Sequence, residues 1–256
     1  MPVKSKIRIA LFYIILILLW QAVYLIKIWP SYIFPSPLMV GETLFTGFKD
    51  KTFIFAILMS LKRILIGYGL SIILGGALGL VMSKFKVVDE TVGSLVLGLQ
   101  ALPSICWLPL ALLWFGLNER AIIFVVVMGA LFSITIATDS GIKNVSPLYI
   151  KAGRNMGARR FELFLLVILP AAMPSVISGL KQGWSFAWRS LMAGEILFLN
   201  LGLGFLLSMG RELNDMSQVI AVMIVIAGIS ILADKFVFGM MDSRIKKIWG
   251  LEKRLI

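Results

Sequence analysis

The feature that most limits this chain is its succession of apolar runs, each long enough to cross a lipid bilayer. A helix rises about 1.5 Å per residue, so roughly 20 apolar residues in a row cover about 30 Å of hydrocarbon. Six such runs are legible, at 9–28, 64–83, 92–115, 121–138, from about 164 to somewhere between 180 and 199, and 219–240. An amphipathic stretch beginning at Phe53 precedes the second. Within hydrocarbon every backbone N–H and C=O needs a partner, and a helix supplies these within one segment. The expectation is an all-α polytopic membrane helix bundle of about six transmembrane helices. With 59% hydrophobic and only 15% charged residues, one globular core could not hide the apolar surface.

The N-terminus carries Lys4, Lys6 and Arg8 ahead of an apolar run interrupted only by Gln21. Lys27, Ile28, Trp29 and Pro30 follow, where a cleaved signal would have a shorter apolar region and small residues. This reads as an uncleaved first span.

The net charge of +12 would suggest nucleic acid in a soluble protein. Here the cations sit between apolar runs, and lipid, not nucleic acid, is the expected partner. With the N-terminus inside, sixteen of the 25 Lys and Arg residues fall in cytoplasmic segments and five in outer ones. Lys62, Arg63, Lys181 and Arg189 remain in or beside spans, Lys62 and Arg63 reading as interfacial anchors. This asymmetry predicts cytoplasmic N- and C-termini.

Histidine is absent and Cys106 is the only cysteine, which removes imidazole acid–base chemistry, most zinc or iron sites and any internal disulfide. No metal, cofactor or catalytic residue is expected, and without a Gly-Lys-Ser/Thr phosphate loop there is no P-loop ATP site. The second span carries Gly67, Gly69, Gly75, Gly76 and Gly79, small residues that let helices approach closely in lipid. Pro103 and Pro109 should kink or break the third, either as tolerated curvature or as part of a gate.

The segment 139–162 is polar and basic but patterned for short helices. Ser146-Pro147 is a helix start, and Gly157 suits a reversal with positive φ. A second short helix can begin at Ala158 and lead into the membrane, making the segment a docking knob.

Residues 151–170 resemble the EAA loop of binding-protein-dependent ABC importers. That pattern is Glu-Ala-Ala, three residues, Gly, nine residues, Ile, one residue, Leu-Pro. Ala152, Gly157, Leu169 and Pro170 match at that spacing; Val167 stands for Ile, and Lys151 and Gly153 depart from Glu and the second Ala. The segments PSICWLPLALLWFGL at 103–117, LPAAMP at 169–174 and WSFAWRSLMAGEIL at 184–197 are similar to the nitrate/sulfonate/taurine branch, as are residues 202–206 and Asp234. The resemblance covers 53–249, and implies a MetI-like core of five spans with one extra N-terminal span. It divides the chain into an N-terminal span and outer loop at 1–52, a permease domain at 53–249 with its coupling loop at 139–162, and a cytoplasmic tail at 250–256. It further implies a bacterial inner-membrane permease, not an enzyme. Its implied partners are a cytoplasmic ABC ATPase dimer, an extracytoplasmic solute-binding protein and a second permease copy, as a homodimer or a heterodimer. Lys151, Ala152, Gly153, Gly157, Leu169 and Pro170 would form the ATPase-coupling loop, with Gly157 setting the turn and Pro170 the start of the fifth span.

Charge inside a span is expensive and marks candidate function. Lys181, Ser185, Trp188, Arg189 and Met192 share a helical face that could line an anion pathway. The competing reading has Lys181 and Arg189 snorkelling to the outer interface, or Arg189 paired with Glu195. Asp234, beside Lys235, is expected to cap the inner end of the last span. The competing functional class is an ion-coupled secondary carrier, although no internal repeat is evident and the 13 acidic residues fall mostly in loops. A membrane enzyme is a third class, for which no catalytic groups can be named. The sequence leaves the exact solute open.

Overall fold

A computed structural model describes residues 3–197 and 201–248. The expected tail at 250–256, with Lys253 and Arg254, lies outside the described residues. The described chain is helical, with ten principal helices: α1 (Val3–Ile26), α2 (Pro37–Lys49), α3 (Thr52–Lys84), α4 (Lys86–Gln100), α5 (Ser104–Phe115), α6 (Glu119–Lys143), α7 (Pro147–Asn155), α8 (Arg160–Leu197), α9 (Leu203–Glu212) and α10 (Met216–Ile245). Five helices are long and apolar enough to cross a membrane, and the bent pair α4–α5 makes a sixth span if taken as one. The expectation of about six spans holds. The amphipathic stretch from Phe53 is continuous with the second span, which makes α3 33 residues long.

The third apolar run is not one straight span: its two helices are bent by 105° between Gln100 and Ser104. Pro103 has no N–H to donate and its backbone is extended, at φ −55° and ψ 136°; the amides of Ala101 and Leu102 turn back to Gly98 and Leu99. Pro109 sits in the first turn of the following α-helical segment, where a missing N–H leaves nothing unsatisfied.

Contacts divide the chain into two compact units. One comprises residues up to Ser60 together with 195–228; the other comprises 61–194 with the chain from Ile229 onward.

In the first unit the side chains of α1 from Ile7 are almost all exposed and apolar, as befits a helix solvated by lipid. The indole of Trp20 donates to the Pro35 carbonyl at 2.9 Å. Glu195 is fully buried, and its carboxylate accepts from the Ser60 hydroxyl (2.7 Å to the nearer oxygen) and from the Gly204 amide at 2.9 Å. Ser60 in turn accepts from the Leu203 amide at 2.9 Å. The carboxylate and the Ser60 hydroxyl thus each accept from one amide at the start of α9 that has no partner within that helix. A Cβ added at Gly202 would lie 2.6 Å from this carboxylate, which would have to move off its hydrogen bonds to make room.

In the second unit α6 is the central element, flanked by α3 and α8. Gly67, Gly75 and Gly79 of α3 press on Val126, the Leu131 carbonyl and the Thr135 carbonyl of α6, each too close for an added Cβ. On the other flank Gly129 of α6 meets Ser190 of α8, and Gly179 and Gly183 of α8 meet Ala137 and Ile134 of α6. This is the small-residue packing that lipid-embedded helices require, since apolar burial alone gives them little drive to associate. Arg63 is buried rather than interfacial: its guanidinium pairs with Glu119 at 3.2 Å, and Lys62 approaches the same carboxylate at 3.6 Å. Burial requires that partner, because an uncompensated guanidinium would be prohibitive there.

Candidate functional site

Two regions of the second unit gather the candidate residues. The first is the elbow between α6 and α8. Ser146 caps α7 by accepting from the Leu148 amide at 3.3 Å, with Pro147 in the first turn, as expected. At the other end Gly157 lies at φ +91°, and two hydrogen bonds close the turn: the Gly157 amide to Arg154, and the Ala158 amide to Gly153, each 3.0 Å. This pairing is a Schellman motif, in which a left-handed residue lets the last carbonyls of a helix find partners. The second helix of the elbow starts at Arg160 rather than Ala158, with the Arg159 amide reaching the Glu162 carboxylate at 3.5 Å.

Gly153, where the importer pattern has alanine, is buried against Leu163 and Val167; an added Cβ would lie 2.9 and 2.8 Å from them. The departure therefore has a packing cause: α7 rests directly on the root of α8. Lys151 and Ala152 are exposed on the other side of α7, and Leu148, Tyr149, Met156 and Phe161 add exposed apolar surface to the elbow. Lys143 at the end of α6 bonds to Asp139 at 2.8 Å and Asp89 at 2.5 Å, tying the strand of chain that enters the elbow to α4.

Pro170 does not begin the fifth span. Helix runs unbroken from Arg160, and a π-turn at Phe164–Ile168 immediately precedes Leu169 and Pro170. A π-turn widens the helix by one residue and loosens its hydrogen-bond register, which accommodates a proline that cannot donate.

The second region lies beside the broken span. Arg189 lines a cavity of about 280 Å³ with Gln100, Ser104, Trp107, Phe132 and Phe186. Its guanidinium stacks over the Phe186 ring at 5.2 Å and forms no ion pair among the described residues. The Glu195 carboxylate, for its part, accepts from the Ser60 hydroxyl and the Gly204 amide.

The other members of the expected face part company. Lys181 binds Asp234 at 2.7 Å and lines a separate hollow of about 590 Å³ between α8 and α10. Asp234 therefore does not cap a helix end; α10 continues past it. Trp188 is buried in an aromatic cluster with Trp184, which also meets Tyr68 and Phe238. Ser185 is exposed, its hydroxyl turned back to the Lys181 carbonyl at 3.3 Å. The residues of α8 that meet Arg189's cavity and its neighbour include Gln182, Ser178 and Ser175, roughly 60–120° around the helix from Lys181, and Ser178 also lines the hollow of Lys181. Of the expected face, Arg189 lines its cavity and Lys181 lines the other hollow, paired with a carboxylate distant in sequence.

A broken span, an elbow stacked on the root of a long helix and glycine-packed helices are a transporter's parts, and the family model for binding-protein-dependent transport system inner membrane components matches residues 67–248. The chain belongs to that family. It is similar to an ABC transporter permease protein of Methanocaldococcus jannaschii, 36% identical over 70% of this chain and 67% of the relative. It is also similar to the taurine transport system permease of Escherichia coli, 28% identical over 86% of this chain and 79% of that one. In fold it is similar to a chain from the crystal structure of an amino acid ABC transporter with histidines, with a TM-score of 0.58, 19% identity and coverage of 83% of this chain and 98% of that chain. This permease is a multi-span inner-membrane transport component and a member of a family of transport subunits, not of enzymes.

Proposed function

We propose that this permease carries a small anion, of the sulfonate or nitrate kind, inward through the membrane in an ATP-driven importer, and that the elbow takes up the motion of a cytoplasmic ATPase. The observation that carries the anion reading is Arg189: a guanidinium on a cavity wall beside a broken span, with no carboxylate among the cavity's residues. Cations aimed into such hollows raise the local concentration of anions and are uncommon in spans without that use. The E. coli relative's taurine carries a sulfonate, in keeping with this chemistry.

The coupling reading rests on the elbow's build. α7 is capped at both ends and packed on α8 through Gly153, so a push on its exposed face, Lys151 and Ala152 included, passes to a membrane helix without slack. Leu169 and Pro170 sit where that helix resumes regular geometry after its π-turn. Lys151 in place of an acidic residue calls for a partner groove that is acidic or neutral at that contact. The excess of Lys and Arg on the elbow side supports a cytoplasmic elbow and cytoplasmic termini. A solute-binding protein would deliver from the other face. Two copies related by a twofold axis, served by an ATPase pair, would complete the assembly.

The test is reconstitution with the cognate ATPase and binding protein in proteoliposomes. ATP-dependent uptake of taurine or nitrate is expected; uptake driven by an ion gradient alone would favour a secondary carrier. Gly157→Val tests the elbow. No atom lies near an added Cβ, so the cost is the backbone at φ +91°, which a β-branched residue resists by a few kcal/mol. The variant should insert normally yet lose co-purification with the ATPase; an undiminished complex with full transport would count against coupling through this turn.

A further inference from the structure

A second hollow of about 430 Å³ lies between α6 and α8 and shares Gln100 with the first. Ser133 is 3% exposed at its wall, and its hydroxyl finds no hydrogen-bond partner among the described residues. Its neighbours on α6 behave differently: Thr135 and Thr138 donate to carbonyls one turn back, at 2.9 and 2.8 Å. A buried hydroxyl left unbonded is costly, so Ser133 marks a place where something else is meant to bond. Gln182 and Gln100 also have no side-chain hydrogen bond among the described residues, and both line this hollow. Ser178 and Ser140 do not count as donors here, since each is committed to a carbonyl of its own helix.

We infer that the two hollows are consecutive stations for an oxyanion, with the Gln100 amide as the shared wall across which the ligand passes from Arg189 to the Ser133 and Gln182 donors. The inference rests on the anion reading above and goes further by naming the route. An oxyanion only accepts hydrogen bonds, and the groups here without a hydrogen bond among the described residues include the Arg189 guanidinium, the Gln100 and Gln182 amides and the Ser133 hydroxyl, with the Ser104 and Ser175 hydroxyls beside them. No aspartate or glutamate lines either hollow. Arg189 and Gln182 are seven residues apart on α8, which places them on one side of the helix. Neutral donors after a single cation suit a passage rather than a trap, because conduction needs binding weak enough to release.

The experiment uses the complete transporter in proteoliposomes with taurine and nitrate as probes. If wild type imports neither under ATP, the anion reading itself fails. If it imports one, Gln100→Leu and Ser133→Ala should each cut that uptake about tenfold, the effect of one hydrogen bond to a charged group. ATP hydrolysis stimulated by the loaded binding protein should persist, and Ser133→Thr, which keeps a hydroxyl, should recover part of the loss. A second measurement guards against misfolded variants. In a Cys106→Ser background, Ser133→Cys and Gln182→Cys should react with an anionic methanethiosulfonate reagent, and the imported probe should slow the reaction. Unchanged uptake in Gln100→Leu, or thiols that the anionic reagent does not reach, overturns the inference.

Discussion

Lys181 and Arg189 sit on one helix, eight residues and so about 12 Å apart, and the structure treats them in opposite ways. Lys181 meets Asp234 from α10 at 2.7 Å, so this pair contributes little net charge to its hollow. Arg189 has an aromatic ring beneath it and a cavity before it, and keeps its charge. Two cations that look alike in sequence are therefore a strut and, on the function proposed above, a lure. The difference teaches that an intramembrane charge is interpreted by its partner rather than by its position along a span.

The largest expected effect tests the lure. Arg189→Gln should lower anion uptake about ten- to a hundredfold, the range for losing hydrogen bonds to a charged group, while ATPase assembly persists. Flux in proteoliposomes measures it, and unaltered kinetics would remove Arg189 from the route. A middle-sized effect belongs to the strut. Lys181→Gln leaves the half-exposed Asp234 carboxylate of a candidate span without its cation, so the purified protein should melt slightly earlier in detergent, with transport reduced in proportion to the folded fraction. The smallest effect should come from Lys181→Gln combined with Asp234→Asn, which removes both charges and should restore most of the lost stability. Should the double variant lose uptake as severely as Arg189→Gln, Lys181 would belong to the route as well and the contrast would break.

What could be read before the structure was largely local or periodic. Ser146-Pro147 and Gly157 encode a cap and a left-handed turn within a few residues, so the elbow's form was legible in detail. The spans were legible because hydropathy integrates over 20 residues, and the break at Pro103 because proline acts on its own backbone. Long-range pairs left no such trace. Ser60 and Glu195 are 135 positions apart, and nothing near either residue names the other. The same holds for Lys181 and Asp234, and charge alone does not point to Gln182, Ser133 and Gln100, which line a hollow without carrying one. Pro170 marks the start of the fifth span only by resemblance to the importer pattern; the π-turn at Phe164–Ile168 lets the helix run straight through it.

The unbroken run of α8 has a mechanical corollary. Its 38 residues amount to roughly 57 Å of rod, close to twice the thickness of a hydrocarbon layer. Even allowing for tilt, a good part of that rod overhangs the bilayer, with the elbow mounted at its tip. On the coupling proposed above, a partner grasping the tip would work at a distance from the lipid headgroups and would turn the buried length about a fulcrum inside the membrane.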